Sequence, residues 1–216
     1  MYVITADQIG SRHDRDRAGE MIAQLTAGFG AGYVLPADQT SGDEIQVMMT
    51  DAVTALGTIL TLHRSGHWTI GLGVGSVRTP YPQATRQAAG GAFIAARDAV
   101  NRAKKADARF ALDVAPVAPV NSPDRASTFD VQRRPADVDA DEVEALLTLL
   151  LLLRHRRSPE GWEAADLLEQ GLPQVEIAGI LGISTAAVSQ RVKSAHWRAD
   201  EAARPALVRL LRNLDL

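Results

Sequence analysis

Residues 173–197 read PQVEIAGILGISTAAVSQRVKSAHW, a stretch that indicates two short helices joined by a tight turn. Pro173 suits the first position of a helix, where a missing backbone N–H costs nothing. Gly182 stands where a left-handed residue would end the first helix, and Ser184 stands where a side chain would cap the second. Apolar residues recur at helical spacing, namely Val175, Ile177, Ala178 and Leu181, then Ala187 or Val188, Val192 and Ala195. The stretch therefore predicts a helical pair with one buried side.

The outward side of the second predicted helix is short, polar and basic. The residues left facing outward are Thr185, Ala186, Ser189, Gln190, Arg191 and Lys193. From Ser184 to Arg198 the chain has three Lys or Arg and no acidic residue, whereas from Asp139 to the end it has nine Lys or Arg against twelve Asp or Glu. A local basic surface on an acidic segment is typical of a helix that lies in the major groove of DNA.

The same stretch resembles the helix-turn-helix of bacterial transcription regulators. Gln174 is followed four residues later by Ala178, and then by Gly182-Ile-Ser184 with Ala-Val-Ser behind it. We expect base contacts with double-stranded DNA from Thr185, Ala186, Ser189 and Gln190, and phosphate contacts from Arg191, Lys193 and Arg198. The alternative is a helical hairpin that serves only for packing.

Composition excludes several classes of protein. The 216 residues, 46% hydrophobic and 23% charged, are typical of a globular chain of two domains or one large one. There is no cysteine, so disulfides, thiolate metal ligands and thiol nucleophiles are excluded. The first residues, MYVITADQIGSRHDR, turn polar too early for a secretory signal, and the longest apolar run, 145–153, is too short to span a membrane. We therefore expect a cytoplasmic protein that does not bind membranes.

Residues 1–114 alternate strand and helix signals. Strands are predicted at 2–6, 33–37, 44–49, 68–77 and 109–114, and helices at 15–29, 51–64 and 83–105. Glycines at 71, 73 and 75 in the fourth predicted strand indicate that a neighbouring element approaches the sheet closely. The order β-α-β-β-α-β-α-β predicts a palm-like α/β sandwich of the ferredoxin-like type.

The remainder of the chain changes character. Residues 115–138 contain four prolines among polar residues and predict a linker. Asp139, with Glu142 three residues on, forms a capping box that begins a leucine-rich helix. Because leucines cover every side of that helix, part of it is suited to bury a partner helix in a homodimer. With a last helix at about 201–214, residues 139–216 are predicted to form an all-α helix-turn-helix domain, which makes the whole chain α+β.

Two carboxylates in the predicted α/β domain stand where they could meet. Asp7 ends the first strand, and Asp43 lies in the hairpin that joins the next two. A divalent cation between two carboxylates relieves their repulsion and bridges phosphate oxygens. After Asp7, Gly10-Ser11 leads into a helix, whose first N–H groups are natural phosphate donors. The alternative is that Asp43 forms a turn and Asp7 caps a strand end.

These motifs resemble segments of two known groups of proteins. The segments Asp7-Gln-Ile-Gly-Ser11 and Gly42-Asp43-Glu44-Ile45 resemble the palm-like catalytic domain of class III nucleotide cyclases and GGDEF diguanylate cyclases. Asp7-x-x-x-Ser11-Arg12 with Gly42-Asp43-Glu44-Ile45-Gln46 resembles the SatD family of bacterial proteins more closely, over residues 2–114. The later segments 91–97 and 103–104 are similar to helix motifs of these groups. The resemblance implies Mg²⁺ at Asp7 and Asp43, and a nucleotide whose phosphates contact Ser11, Arg12, Arg97 and Lys104.

The chain departs from the cyclase pattern at two places. Ser41 stands where GGDEF has its first glycine, and Phe93 or Ile94 stands where a cyclase carries an asparagine. Both carboxylates that the resemblance assigns to metal, Asp7 and Asp43, are present, whereas the neighbouring residues of the cyclase motif are not. We therefore assign no catalytic residue. Three interpretations remain for this domain, namely a nucleotide or metal–nucleotide sensor, a working nucleotidyl transferase, and a dimerisation domain.

Together these patterns predict a DNA-binding transcription regulator whose N-terminal domain senses a nucleotide with Mg²⁺ or sets the geometry of a dimer. The alternative function is a metal-dependent nucleotide cyclase or nucleotidyl transferase that carries a DNA-binding domain. A third interpretation is a scaffold whose two domains bind only proteins.

Overall fold

The computed structural model describes residues 1–11, 14–40, 42–116 and 139–215 and shows a mixed α+β chain, as predicted. The strands are β1 (Tyr2–Gln8), β2 (Tyr33–Gln39), β3 (Glu44–Met49), β4 (Trp68–Val74) and β5 (Phe110–Val114). The helices are α1 (Ala18–Phe29), α2 (Ala52–Ser65), α3 (Gly91–Ala103), α4 (Ala140–His155), α5 (Pro159–Glu169), α6 (Gln174–Leu181), α7 (Thr185–Ser194) and α8 (Trp197–Leu214). Arg12, Ser41 and positions 117–138 of the predicted linker lie outside the described residues.

The five strands form one mixed sheet in the order β2-β3-β1-β4-β5. β1 is antiparallel to β3 and to β4, and β5 runs parallel to β4. Since side chains alternate along a strand, Tyr2, Ile4 and Ala6 face one layer and Val3, on the opposite side, faces another. The first layer contains α1, α2, α4 and α8, and the second contains α3.

The core of the first layer continues across the predicted domain boundary. Leu147 and Leu151 of α4 and Leu211 of α8 are buried in the same cluster as Tyr2 and Ile4 of β1. The Tyr2 hydroxyl also donates a hydrogen bond to the carbonyl oxygen of Leu211 at 3.0 Å. α4 and α8 therefore complete the layer that covers the sheet, while the division into two domains stays a prediction.

Helix α4 also closes the outer edge of the sheet. The carboxylate of Glu144 accepts a hydrogen bond from the backbone N–H of Leu112 in the edge strand β5 at 2.7 Å. The same carboxylate forms an ion pair with Arg102 at 2.8 Å. An unpaired N–H on an edge strand is a free energy cost and a site for unwanted pairing. The capping box predicted at Asp139 and Glu142 begins this helix, as expected.

Helix α3 lies directly against the glycines of β4. A Cβ atom built at Gly71 would lie 2.3 Å from the backbone nitrogen of Val100, and one built at Gly73 would lie 2.1 Å from the carbonyl oxygen of Ala92. No side chain fits in that space, because both neighbours are backbone atoms. The close approach predicted from the glycine pattern is confirmed.

Four predicted element ends were wrong by three or more residues. α1 begins at Ala18 and not at residue 15. α3 begins at Gly91 and not at residue 83, because the chain at Gly90 has a φ of +154° and its α-carbon lies so near residues 76–77 that a Cβ would be 2.5 Å from the carbonyl oxygen of Ser76. β4 ends at Val74, three residues earlier than predicted. α8 begins four residues earlier, at Trp197, directly after His196 in a left-handed conformation.

Among the described helices, none has the length and apolar character needed to cross a membrane. The cytoplasmic location stays a prediction.

Candidate functional site

Helices α6 and α7 are joined by the short turn that the sequence predicts. Gly182 has a φ of +64°, in the left-handed region that ends a helix, and the N–H of Ile183 bonds back to the carbonyl oxygen of Ala178 at 3.0 Å. The hydroxyl of Ser184 accepts a hydrogen bond from the N–H of Ala187 at 3.1 Å, which caps α7. Both predicted caps are confirmed, so the angle between the two helices is fixed by local chemistry.

A small core behind these helices decides which side of α7 is exposed. Val188, Val192 and Ala195 are buried. The buried residues Ala164, Ile177 and Ala178 of α5 and α6 complete this cluster with Val188 and Val192. Five of the six predicted DNA-facing residues are exposed, namely Thr185, Ala186, Ser189, Gln190 and Lys193. The inward positions predicted in α7 are confirmed, with Val188 rather than Ala187 at the ambiguous position. In α6, Ile177 and Ala178 are buried and Leu181 is half-buried against the cluster. The prediction was wrong for Val175, which is 71% exposed because it lies on the first turn of α6, away from this cluster.

The sixth predicted DNA-facing residue, Arg191, has a partner inside the chain. Its guanidinium forms an ion pair with the carboxylate of Glu163 on α5 at 2.8 Å, and only 27% of its side chain is exposed. A phosphate group would compete with Glu163 for this guanidinium. Its assignment as a phosphate contact stays a prediction.

A groove opens between the end of α7 and the start of α8. It measures about 360 Å³ and is lined in part by Ser189, Lys193, His196 and Arg198. Among the described residues, Lys193 and Arg198 have no acidic partner, and all four of these side chains are exposed. Cationic donors on the rim of a groove are suited to bind a phosphate backbone.

At the other candidate site, the carboxylate opposite Asp7 belongs to Glu44. The two residues are directly paired in the antiparallel register of β1 and β3, so their side chains lie on the same face of the sheet, under α3. Asp7 forms an ion pair with Lys104 at 2.6 Å, and Glu44 forms one with Arg97 at 3.1 Å. Lys104 and Arg97 are 49% and 58% exposed, so this cluster of four charges is accessible to a ligand.

The backbone of Asp43 lies next to the end of β1. Its carbonyl oxygen accepts the N–H of Gln8 at 3.2 Å, so Asp43 lies beside Gln8, one residue beyond Asp7. Among the described residues no three His, Asp or Glu side chains come together, and a cation at Asp7 would have to displace Lys104. The metal assignment to Asp7 and Asp43 stays a prediction, as does the phosphate assignment to Ser11.

Sequence reasoning found three members of the charged cluster and missed the fourth. Asp7, Arg97 and Lys104 were predicted, the last two from a resemblance alone. In the structure Lys104 forms an ion pair with Asp7. Glu44 was quoted only as part of a motif. The signal that identifies Glu44 is the two-residue alternation of β3, which places it on the same face as Gln46 and Met48.

Comparison with protein-family models, curated proteins and solved structures found no match to this chain. The resemblances to helix-turn-helix regulators, nucleotide cyclases and the SatD family therefore depend on the residues quoted for them.

A buried ionic network, which the sequence does not indicate, holds the helical layer together. Asp200 of α8 is fully buried and accepts hydrogen bonds from Arg154, from Arg157 at 3.0 Å and from Arg204 at 2.9 Å. Burial alone would raise the pKa of Asp200, but the Arg204 hydrogen bond and the nearby guanidinium charges outweigh it and lower that pKa. The sequence indicated only basic residues at a helix end, because Asp200 is 46 residues away from Arg154.

Two of these arginines, together with Arg64, surround Trp162 of α5. The guanidinium carbons of Arg64, Arg154 and Arg157 lie 4.1, 4.8 and 4.2 Å from its ring centroid. Arg64 belongs to α2 and also forms a two-point ion pair with Asp166, at 2.6 Å for each contact. Helix α5 is thus attached to α2 on one side and, through Glu163, to α7 on the other.

Proposed function

We propose that this chain binds double-stranded DNA through α6 and α7, acting as a helix-turn-helix with α7 in the major groove. The support is the division of α7 into a buried side and an exposed side. The buried side is held by the small core, so the exposed side has a fixed orientation. The exposed residues at its start are short and polar, which allows the helix axis to come close to base edges.

The observation that carries this proposal is a pair of cations without acidic partners, one near the end of α7 and one at the start of α8. Lys193 and Arg198 have no acidic partner in the described part of the chain, although acidic residues outnumber basic ones from Asp139 onward. They lie on the rim of the groove next to the base-facing residues, where a phosphate backbone would pass. We assign Thr185, Ala186, Ser189 and Gln190 to base edges and Lys193 and Arg198 to phosphates. Arg191 joins them when phosphate replaces Glu163.

For the N-terminal part we propose a ferredoxin-like, palm-type nucleotide sensor. The strand order β2-β3-β1-β4, with β5 added at the edge, supports the ferredoxin-like assignment. Arg97 and Lys104 supply two accessible cations on one side of α3, and phosphate oxygens bind such cations well. Catalysis by a cyclase-type metal pair has less support, because a metal ion at Asp7 would have to displace Lys104.

The test is the salt dependence of DNA binding. Genomic fragments that bind selectively are titrated by fluorescence anisotropy with wild-type protein, with a Lys193→Ala/Arg198→Ala variant, and with Lys105→Ala as a matched control. Each lost phosphate contact lowers affinity roughly tenfold near 0.1 M salt and flattens the log–log salt slope by about 0.9. The double variant should show both effects on every sequence tested, and Lys105→Ala should show neither.

Two outcomes would contradict parts of this proposal. If the Lys193→Ala/Arg198→Ala variant binds DNA with unchanged affinity, the proposal that α7 contacts DNA is wrong. Adding nucleoside triphosphates with Mg²⁺ to the same titration tests the sensor. A shift in DNA affinity that disappears in Lys104→Ala supports sensing, and hydrolysis or cyclisation of the nucleotide would favour the enzyme instead.

A further inference from the structure

The outer side of α4 is an apolar stripe that no described residue covers. Leu149 is 64% exposed and Leu146 is 46% exposed, although both lie in a helix whose other side is core. Beside them a groove of about 440 Å³ separates α4 from α8 and is lined entirely by leucine and alanine, including Leu153, Ala203 and Ala206. Exposed apolar residues that are contiguous mark an interaction surface more often than single ones do.

We propose that this stripe binds a second copy of the same chain through an antiparallel pair of α4 helices. The stripe begins at Glu142 and ends at Arg156, each seven residues from Leu149, or roughly 10 Å along the helix axis. A two-fold axis at Leu149 therefore places Glu142 of each copy against Arg156 of the other, which gives two such contacts. Opposite charges at both ends and apolar residues between them make the surface complementary to itself.

The sizes of the side chains fit the same register. About Leu149, position 145 of one copy faces position 153 of the other, which sets Ala145 against Leu153. A small residue opposite a large one is what interdigitated packing requires. The groove floor at Ala203 and Ala206 leaves room for a leucine of the second copy.

The charges at the ends of the stripe are available for this contact. Arg154 and Arg157 are buried against Asp200, which leaves Arg156 as an exposed guanidinium without an ion pair among the described residues. Glu142 is exposed as well, and it keeps room for a second donor after closing its capping box on the Asp139 N–H at 3.4 Å. This inference does not depend on DNA binding, since it is tested in the absence of DNA.

The first experiment uses a single cysteine at the proposed axis. The chain has no cysteine, so Leu149→Cys introduces the only thiol, and Ile94→Cys, at a 67% exposed residue of α3, is the matched control. If the axis passes through position 149, mild oxidation converts Leu149→Cys rapidly and almost completely to a disulfide-linked species of twice 23.1 kDa. Cross-linking no faster than in Ile94→Cys would overturn the proposal.

The second experiment measures the oligomeric state by sedimentation over a wide range of protein concentration. Wild type should be a dimer, and Leu149→Glu should weaken the dimer at least about 100-fold, because two carboxylates would be buried side by side. Ile94→Glu should leave it unchanged. A wild-type protein that stays monomeric, as it would if another segment or another protein covers the stripe, would overturn the proposal, and so would a dimer that Leu149→Glu does not weaken.

A charge exchange tests the antiparallel register. Glu142→Arg and Arg156→Glu should each weaken the dimer, since each creates two like-charge contacts, and the double variant should regain most of the lost affinity. Circular dichroism confirms that each variant keeps its helix content. Failure of the double variant to recover, with helices intact, would exclude this register.

Discussion

At the scale of single residues, His63 shows how the fold changes the chemistry of a side chain. It is buried on α2 with its ring 6.1 Å from that of His155. Burial, with smaller effects from the charges of His155 and Arg154, lowers the pKa of His63 from 6.5 to about 4. The folded protein therefore keeps this imidazole neutral at pH values where the unfolded chain protonates it.

This shift predicts a loss of stability on mild acidification. Between pH 6.5 and about 4 the unfolded chain binds one more proton at His63, so the free energy of unfolding falls as the pH falls. From pH 7 to pH 5 the loss should be roughly 2 kcal/mol, at about 1.4 kcal/mol per pH unit below 6.5. Urea titrations at a series of pH values measure it. His63→Gln should flatten the profile and His67→Gln should not, whereas equal profiles for all three proteins would contradict the prediction.

Local signals explain which residues the sequence could identify. Gly182, Ser184, Val188 and Val192 were predicted correctly because caps and helical spacing act over a few residues. Asp200 was not, because Arg154 and Arg157 lie 46 and 43 residues away along the chain and only Arg204, four residues on, is local. Glu44 is an intermediate case. The sheet face on which it lies is predictable from the alternation of side chains along β3, but its partner Arg97 is not, because that contact depends on how α3 crosses the sheet.

At the scale of elements, the contact between α3 and β4 depends on backbone rather than on side chains. Gly73→Ala should destabilise the protein by roughly 1–3 kcal/mol or more, because the new Cβ would lie 2.1 Å from the carbonyl oxygen of Ala92. Gly28→Ala is the matched control. Gly28 is in α1, where a new Cβ would meet no neighbouring atom within 4 Å, so the same change should stabilise by about 0.5–1 kcal/mol.

Chemical denaturation of the two alanine variants measures both effects. A Gly73→Ala protein as stable as wild type would mean that α3 can move away from the sheet at little cost. The glycine pattern in the sequence was enough to predict this contact. The start of α3 was not predictable in the same way. The residues before Gly90 have helical composition, but Thr85 and Arg86 bond to Pro36 and Asp38 of β2, and Gly90 lies against the residues that follow β4.

At the scale of the whole molecule, the sheet and the helices after residue 139 share one core. We expect a fragment of residues 1–116 to lack a cooperative unfolding transition, because removing α4 and α8 exposes Tyr2, Ile4 and the rest of that face of the sheet. Thermal unfolding followed by circular dichroism and by the fluorescence of Trp68 tests this. A sharp transition in the fragment would show that residues 1–114 fold independently, as the sequence predicts.

The order of strands and helices was predictable, and the way the two parts of the chain combine was not. Each amphipathic helix signals that it has a buried side, but the sequence does not indicate which surface that side covers. The leucines of α4 illustrate this point, since the same run supplies residues to the core of the sheet and to the exposed stripe.

The enclosure of Trp162 by three guanidinium groups gives the protein a natural optical reporter. Indole emission depends on nearby charge, and the three charges come from α2 and from the end of α4, while the neighbouring Glu163 binds α7. Any movement of α5 relative to these helices would change the wavelength or intensity of the emitted light. With Trp68 and Trp197 replaced by phenylalanine, a fluorimeter could follow in real time whether an event at the sheet reaches α7.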